Sequence, residues 1–451
     1  MKEDGCVEVT STCQGTGDRL ARKTSVPFSL DKPEIEGMLI NVHAAVTFQT
    51  VEGFGGAFTE SGAETLGRMP AKKREEIINA YFNTVAGLGY NLCRTHINSC
   101  DFSLGNYALA EKSGDVALES FSISRDERAL IPFILEAQKM SGGKLKILAS
   151  PWSPPAWMKT NGMMNKGGKL KPEYAGVWAE YYSRYIKAYA GRGIEIWAVS
   201  VQNEPKAVQS WDSCVYTAEE ERDFVKHHLG PSLQRNGLGH VKIVIWDHNK
   251  ERVFERSCVA YCDPDAARYI WGTGFHWYSG DHFEGLQATR KMFPDKHLLF
   301  TEGCQEGGVK LGAWAPAERY GHDIIGNLNN DTEGFIDWNL VLDEQGGPNH
   351  VGNFCDAPVI ADTRTGEVTY EASFYYLGHF SRFIRPGAVR IGFSRYTDRL
   401  EVTAFRNPDG VIAVVVMNRT ADEIPFVLRC HERGTASFKS KPHSIVTLRY
   451  A

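Results

Sequence analysis

The sequence lacks any apolar run long enough to cross a membrane as a helix, and its first residues, Met1-Lys2-Glu3-Asp4-Gly5-Cys6, carry no apolar leader. These absences predict a soluble chain without stable membrane insertion, cytoplasmic as written and secreted if a signal has been removed. Charge of one sign is also missing. The net charge is only −5 and no basic block stands out, which excludes the electrostatic footprint of a nucleic-acid binder or a membrane patch. Cysteine is present without pattern: ten residues, at 6, 13, 93, 100, 214, 258, 262, 304, 355 and 430, show no disulfide-scaffold rhythm and read as reduced, buried thiols. Cys258 and Cys262 are the one close pair beyond the N-terminal two. No second ligand pair accompanies them, so no metal is expected. Neither a Gly-x-Ser-x-Gly elbow nor a His-Glu-x-x-His helix occurs, which removes serine-hydrolase and zincin chemistry. Gly53-Phe54-Gly55-Gly56 lacks the third glycine and the ribose-binding acid of a dinucleotide loop. It reads instead as a tight turn that brings backbone close to a ligand, and no organic cofactor is expected.

What is present is a long alternation of strand and helix signals. The 451 residues, 42% hydrophobic, suffice for a large core and more than one domain. Candidate strands lie near Gly53–Thr59, Asn91–Ile97, Lys144–Ser150, Ile194–Val201, Val241–Asp247, Gly272–Tyr278, His297–Thr301 and Gly334–Leu340. Helical patterns fall between them, clearest at Pro70–Phe82, Arg125–Met140, Glu173–Ala190 and Ala218–Asn236. Eight strands with intervening helices predict an α/β fold, a closed (β/α)8 TIM barrel over 51–383, with a doubly wound open sheet as the alternative. After Pro386 the texture becomes short, β-rich and turn-punctuated: Val389–Gly392, Leu400–Arg406, Val411–Asn418, Pro425–Arg429 and Ser444–Tyr450. Residues Val7–Val51 read similarly and contain no convincing helix. The segments 1–50 and 384–451 are therefore expected to meet in one side β-sandwich, since neither alone could bury both faces of its strands.

Two glutamates stand at strand ends. Glu204 follows the apolar run Ile196–Val201 in Val201-Gln202-Asn203-Glu204-Pro205, and Glu302 follows His297–Phe300 in Phe300-Thr301-Glu302-Gly303. The carboxyl ends of barrel strands are where that fold builds its active site. A pair of carboxylates facing each other across a sugar is the machinery of glycoside hydrolysis. Aromatics at 11%, with ten Trp, are enough to supply stacking platforms for flat apolar ligand faces, although most belong to the core.

These residues sit within longer stretches that carry a resemblance. Trp197–Pro205 resembles the acid/base strand of the clan A glycoside hydrolases. Gly53–Thr59, Gly89-Tyr90-Asn91, Ser99–Ser103, Ser150–Pro155, Lys159–Gly162, His276-Trp277-Tyr278, Asp337–Leu340, Gly346–Asn349 and Leu377–Ser381 narrow the likeness to glycoside hydrolase family 30, which includes lysosomal glucosylceramidase. The resemblance implies a retaining glycosidase with Glu302 as nucleophile and Glu204 as general acid/base. Glu204 is then expected to hold its proton and Glu302 to be ionised. The resemblance also assigns Asn203 to the sugar 2-hydroxyl, Tyr278 to Glu302, and Arg94 to orienting the nucleophile. Trp338 becomes a stacking floor and Trp152 a hydroxyl donor, with Asn353 and Phe354 at the rim and Trp211 and Tyr216 on the aglycone side. Glu60 is expected to bind remote sugar hydroxyls in place of a family aspartate, which puts strict glucose specificity in question. Cys304 is read as a packed thiol that could confer sensitivity to thiol reagents.

The expected activity is that of an exo-acting β-glucosidase of the glucosylceramidase type, its substrate a β-linked glycoside or oligosaccharide, with no nucleic-acid partner. Alternatives are a β-1,6-glucanase or a β-xylosidase of the same family, an inverting hydrolase with wider carboxylates, and an inactive carbohydrate-binding protein.

Overall fold

Parallel strands buried on both sides need helices over their outer face, and this chain supplies them in sequence order. The computed structural model describes residues 5–32, 34–143 and 145–451. Eight parallel strands close a barrel: β1 Gly53–Phe58, β2 Leu92–Ile97, β3 Lys146–Pro151, β4 Ile196–Ser200, β5 Lys242–Asn249, β6 Ile270–His276, β7 His297–Glu302 and β8 Gly334–Asn339. The eighth pairs with the first from Gly334↔Gly53 onward, so the open-sheet alternative is excluded. Each sequence-predicted strand is found, although Lys144 lies outside the described residues. Leu92, Leu148, Ala198, Val244, Leu299 and Ile336, from six different strands, fill the barrel interior as a packed layer. Gly55 is required in β1, because a Cβ there would lie 1.7 Å from the Leu92 carbonyl oxygen.

The helices depart from the sequence reading at their edges. Helix Ala71–Phe82 forms as expected, burying Ile77, Ile78, Tyr81 and Phe82 on one face. Arg125–Met140 divides into a 3-10 turn at Asp126–Arg128 and a helix at Leu130–Ser141, which ends on the left-handed Gly142. The Glu173–Ala190 helix begins properly at Ala175, after a 3-10 turn. Ala218–Asn236 carries a π-helical turn at Val225–Leu229 between two α-helical pieces, its start fixed by a Thr217–Glu220 capping box.

The two ends of the chain build one nine-stranded sheet. N-terminal strands Cys6–Cys13, Asp18–Pro27 and Leu39–Thr50 interleave with C-terminal strands Val389–Arg395, Leu400–Arg406, Ile412–Asn418, Ile424–Cys430, Gly434–Ser440 and Ser444–Tyr450. Cys6–Cys13 runs antiparallel to Ser444–Tyr450, and Leu39–Thr50 lies between Val389–Arg395 and Ile424–Cys430. The sheet folds over a core of residues such as Val7, Ile40, Leu400, Val414, Phe426 and Leu448, making a sandwich. Strand Gly434–Ser440 is an addition to the strands read from the sequence. Ile412–Asn418 is buried on both faces, since Val415 and Met417 pack with Trp314, Tyr320 and Tyr376 of the barrel helices. Seven of the ten free thiols are buried; Cys6 and Cys258 are half-buried and Cys262 is exposed, a correction to the all-buried reading.

His379, on helix Ala372–Ser381, joins the two units. Its ring nitrogens lie 2.8 Å from Thr447 Oγ1 and 2.9 Å from Thr12 Oγ1, one threonine from each end of the chain. Burial pushes its pKa down to about 3, so the folded protein holds it neutral. The unfolded chain takes up a proton below its ordinary value of about 6.5, so stability from this group is full above that pH and falls as pH drops toward 3. Between pH 7 and pH 5 the loss is about 2 kcal/mol. Denaturant titrations at the two pH values are expected to show this loss, and His379→Gln is expected to reduce it by about that amount.

Candidate active site

The barrel's C-terminal rim is irregular where chemistry-bearing side chains are needed. Three strands carry a bulge there. In β5 the pairing with β6 skips from Trp246 to His248, leaving Asp247 as the extra residue. In β7 it skips from Phe300 to Glu302, and in β8 from Asp337 to Asn339, which sets Thr301 and Trp338 apart. A bulge re-aims side chains that strict alternation would send to opposite faces. Trp246 and Asp247 take φ values of 70° and 48°, and Glu204 takes 47°. Left-handed backbone at non-glycine residues costs on the order of 1–3 kcal/mol each and persists only where the surroundings enforce it. The Glu204 N–H donates to Asp247 O at 3.0 Å and the Asn203 N–H to Pro151 O at 2.8 Å, which fixes the loop after β4.

Arg94, at the centre of β2 and fully buried, organises what lies inside. Its guanidinium donates to Glu302 Oε2 (2.5 Å), Asp247 Oδ2 (2.8 Å), Asn203 Oδ1 (2.8 Å) and Ser150 Oγ (3.1 Å). The Trp152 and Trp338 rings lie 4.7 and 5.6 Å from the guanidinium carbon. Asp247, equally buried, accepts further bonds from Ser200 (2.6 Å) and Thr301 (2.6 Å), and lies 3.0 Å from His276 Nε2. The other nitrogen of His276, Nδ1, lies 3.2 Å from Glu204 Oε1 and 3.9 Å from Glu302 Oε1. Tyr278 Oη donates to Glu302 Oε1 at 2.9 Å.

Above this network is a cavity of about 160 Å³. It is lined by Asp101, Trp152, Asn203, Glu204, Trp211, Tyr278, Glu302, Trp338 and Asn353, with Gln209, His248, Asn249, Cys304, Glu306 and Cys355. Trp152 and Trp338 stack with centroids 5.1 Å apart. The structure thus gathers both glutamates and, of the other expected residues, Asn203, Tyr278, Trp338, Trp152, Asn353 and Trp211 at one cavity, with Arg94 beneath them. Glu60 is the correction. It is absent from the lining and instead accepts from Arg125 Nε (2.8 Å) and Nη2 (3.1 Å) and from the Leu104 N–H (2.8 Å). Asp101 occupies the wall, accepting from Asn353 Nδ2 at 3.1 Å, and Glu60 pins the loop that presents it. Tyr216 and Phe354 also lie off the lining.

Asp247, His276, His248 and Asp101 are the residues sequence reasoning left without a role. Asp247 ends the predicted strand Val241–Asp247 and His276 lies two residues before the end of the predicted strand Gly272–Tyr278, both on the rim that carries Glu204 and Glu302, and that position was the available signal. Cys304 sits in the wall with its Sγ 3.5 Å from Tyr278 Oη and 3.5 Å from Cys355 Sγ, and the Cys355 contact, with burial, pushes its thiol far up.

The electrostatics of the rim are set by burial working against close partners. Burial disfavours the Asp247 charge, yet Arg94 and His276 outweigh it and hold the carboxyl well below the usual range. Burial disfavours imidazolium, yet Glu302, Asp247 and Glu204 raise His276 to about 9. Asp101 is pushed up to about 7, chiefly by burial. Burial, with the charges of Glu204 and Asp247, raises Glu302 against the pull of His276 and Arg94. For Glu204, burial is overcome by His276 and His248, which lower it. This is the reverse of the order expected from the sequence, and the cause is His276: in the resting site the proton required of Glu204 resides on the imidazole beside it.

An alternating barrel with a β-sandwich and paired rim carboxylates defines a class of sugar-cleaving enzymes, and comparison with known proteins makes the class specific. Residues 51–384 match the glycosyl hydrolase family 30 TIM-barrel domain and residues 387–448 the glycosyl hydrolase family 30 beta sandwich domain. The chain belongs to glycoside hydrolase family 30. It is 36% identical to the lysosomal acid glucosylceramidase of Mus musculus over 431 residues, covering 91% of this chain and 83% of that protein. Among solved structures, SrfJ from Salmonella typhimurium is similar at 39% identity, with a TM-score of 0.95 and 99% of each chain covered. An endo-β1,6-glucanase is similar at 30% identity, with a TM-score of 0.88 and the same coverage.

If Asp247 holds the proton on His276, Asp247→Asn should lower the His276 pKa below its value of about 9. Imidazole NMR titration measures this directly, and an unmoved titration would contradict the assignment.

Proposed function

We propose that the chain is a retaining, exo-acting β-glycosidase of the glucosylceramidase type that removes a terminal β-glucosyl unit, with Glu302 as nucleophile and Glu204 as acid/base. The observation that carries this reading is the convergence of both carboxylates on one imidazole nitrogen. Legs of 3.2 and 3.9 Å place Glu204 Oε1 and Glu302 Oε1 no farther apart than their sum, 7.1 Å. That bound accommodates the spacing of about 5–5.5 Å that a double displacement needs and leaves little of the range of about 6.5–9.5 Å used by inverting enzymes.

In the first step Glu302 attacks the anomeric carbon as the bond to the leaving oxygen breaks. Arg94 and Tyr278 donate to the two Glu302 oxygens, so its surroundings are arranged for the carboxylate. Glu204 passes a proton to the leaving oxygen. Imidazolium with carboxylate and imidazole with carboxylic acid differ by one proton moved across 3.2 Å, so His276 can return to Glu204 the proton it holds at rest. In the second step Glu204, ionised, takes a proton from the water that cleaves the glycosyl–Glu302 ester. Asn203 has its Oδ1 engaged by Arg94, which turns its amide NH2 toward the sugar 2-hydroxyl. Trp338 supplies the apolar floor, and Asp101 with Asn353 meets hydroxyls remote from the reacting carbon.

A cavity of about 160 Å³ is well below the range of roughly 300–1,000 Å³ typical of larger ligands and suits one sugar ring, which supports exo action. Endo cleavage of a β-1,6-glucan is the second reading, favoured by the full-length similarity to an endo-β1,6-glucanase.

Initial rates on nitrophenyl β-glucoside, xyloside, galactoside and fucoside, beside a β-1,6-glucan, separate the two readings. Turnover of the glucoside is expected, with kcat reduced at least about a thousandfold in Glu302→Gln. Release of internal oligosaccharides from the glucan without glucoside turnover would favour the second reading. Proton NMR is expected to show the β anomer first; an α anomer first would overturn retention. The rate should be bell-shaped in pH. Below the acid limb Glu302 is protonated and no longer nucleophilic, and this limb lies above the ordinary glutamate value. The alkaline limb follows loss of the proton shared by Glu204 and His276, near pH 9.

A further inference from the structure

Beside the acid/base carboxylate lies a histidine that neither the hydrolytic steps nor the packing accounts for. His248 follows the bulge residue Asp247 and lines the cavity. Its Nδ1 is buried and has no hydrogen-bond partner among the described residues, yet it lies 3.5 Å from Glu204 Oε1. His276 Nδ1 approaches the same oxygen at 3.2 Å. One donor atom from each of Glu204, His248 and His276 falls within 4.8 Å of the others.

We propose that Glu204, His248 and His276 form a binding site for a borderline divalent cation such as Zn²⁺, and that its occupation blocks hydrolysis. Zinc bonds of about 2.0–2.2 Å in tetrahedral geometry set neighbouring ligand atoms about 3.3–3.5 Å apart. The two edges that meet at Glu204 are 3.2 and 3.5 Å, so the donors stand near this spacing before any ion arrives. His276 has the remaining feature of a histidine ligand. Asp247 Oδ1 lies 3.0 Å from its Nε2, so that nitrogen keeps its proton and Nδ1 is the one a cation would take, displacing the proton held between it and Glu204. Glu204 and His248 both line the cavity, so a fourth ligand to the ion would be water drawn from it. Two imidazoles and one carboxylate select Zn²⁺, Ni²⁺ or Cu²⁺ over Mg²⁺ and Ca²⁺, which prefer oxygen. A bound ion would hold Glu204 as a ligand, unable to give or take a proton. Metal binding is independent of the proposed function; the inhibition rests on Glu204 being its acid/base.

Cobalt(II) replaces zinc in such a site and absorbs strongly in the visible when four-coordinate, so binding is read without turnover. Titration of the full chain should give one tetrahedral Co²⁺ per molecule, displaced by Zn²⁺ and unaffected by excess Mg²⁺ or Ca²⁺. His248→Ala and Glu204→Gln should each weaken Co²⁺ and Zn²⁺ binding about tenfold or more, with circular dichroism confirming that the variants fold. His227→Ala, an exposed histidine elsewhere, and Cys304→Ser should leave binding unchanged. Zn²⁺ should suppress glucoside hydrolysis by the parent chain over the same concentrations that bind, and a chelator should restore it. Absence of a tetrahedral Co²⁺ spectrum, or a spectrum that persists in His248→Ala, overturns the site. Tight binding through these residues without inhibition would retain the metal site and count against Glu204 as acid/base.

Discussion

The ion pair between Arg94 and Asp247 is the constraint on which the site is built. Both side chains are fully buried, one on β2 and the other on the β5 bulge, and they meet at 2.8 Å inside the barrel. Taking two charges out of water costs several kcal/mol each, and the cost is offset only where every donor and acceptor is engaged. Here the engagement is nearly complete. Arg94 serves Glu302, Asn203 and Ser150, and Asp247 draws in Ser200, Thr301 and His276. Removing either partner would strand the other in the barrel, at a cost of about 3–5 kcal/mol. The pair therefore fixes the nucleophile, the 2-hydroxyl amide and the proton-bearing imidazole together, which explains how carboxylates on different strands keep one geometry.

That network also explains the protonation of the rim. Three carboxyl groups, Asp247, Glu204 and Glu302, face two cations, Arg94 and His276, in a space with little water. Charges this close titrate as a set, and the assignment of a proton to one residue depends on its neighbours. A role read from the chemistry of a family says where a proton must be when the bond breaks. The surrounding side chains decide where it rests beforehand.

Much of the architecture was legible because strand-and-helix alternation is strong and local. The eight barrel strands announced themselves as apolar runs, and Glu204 and Glu302 were visible because each ends such a run. What stayed hidden depended on events across strands. The bulges at Asp247, Thr301 and Trp338 are properties of pairing register, which one strand's sequence does not display. Glu60 and Asp101 illustrate the same limit. Both are acids a few residues past a strand end, and the bonds of Glu60 to Arg125 and to the Leu104 N–H decide which one reaches the cavity. The helix edges failed for a smaller reason: a 3-10 turn and an α-helix share apolar spacing over a few residues.

The interleaved sandwich constrains the order in which the molecule can be made. Leu39–Thr50 sits between Val389–Arg395 and Ile424–Cys430, strands synthesised only after the whole barrel. At about 5–20 residues per second, the barrel between them takes tens of seconds to synthesise. For that time Cys6–Cys13 and Asp18–Pro27 can pair only with each other, and Leu39–Thr50 has neither of its partner strands. The barrel can close around Arg94 and Asp247 while the sandwich is still half-made, so the final C-terminal strands complete a surface against a unit already folded.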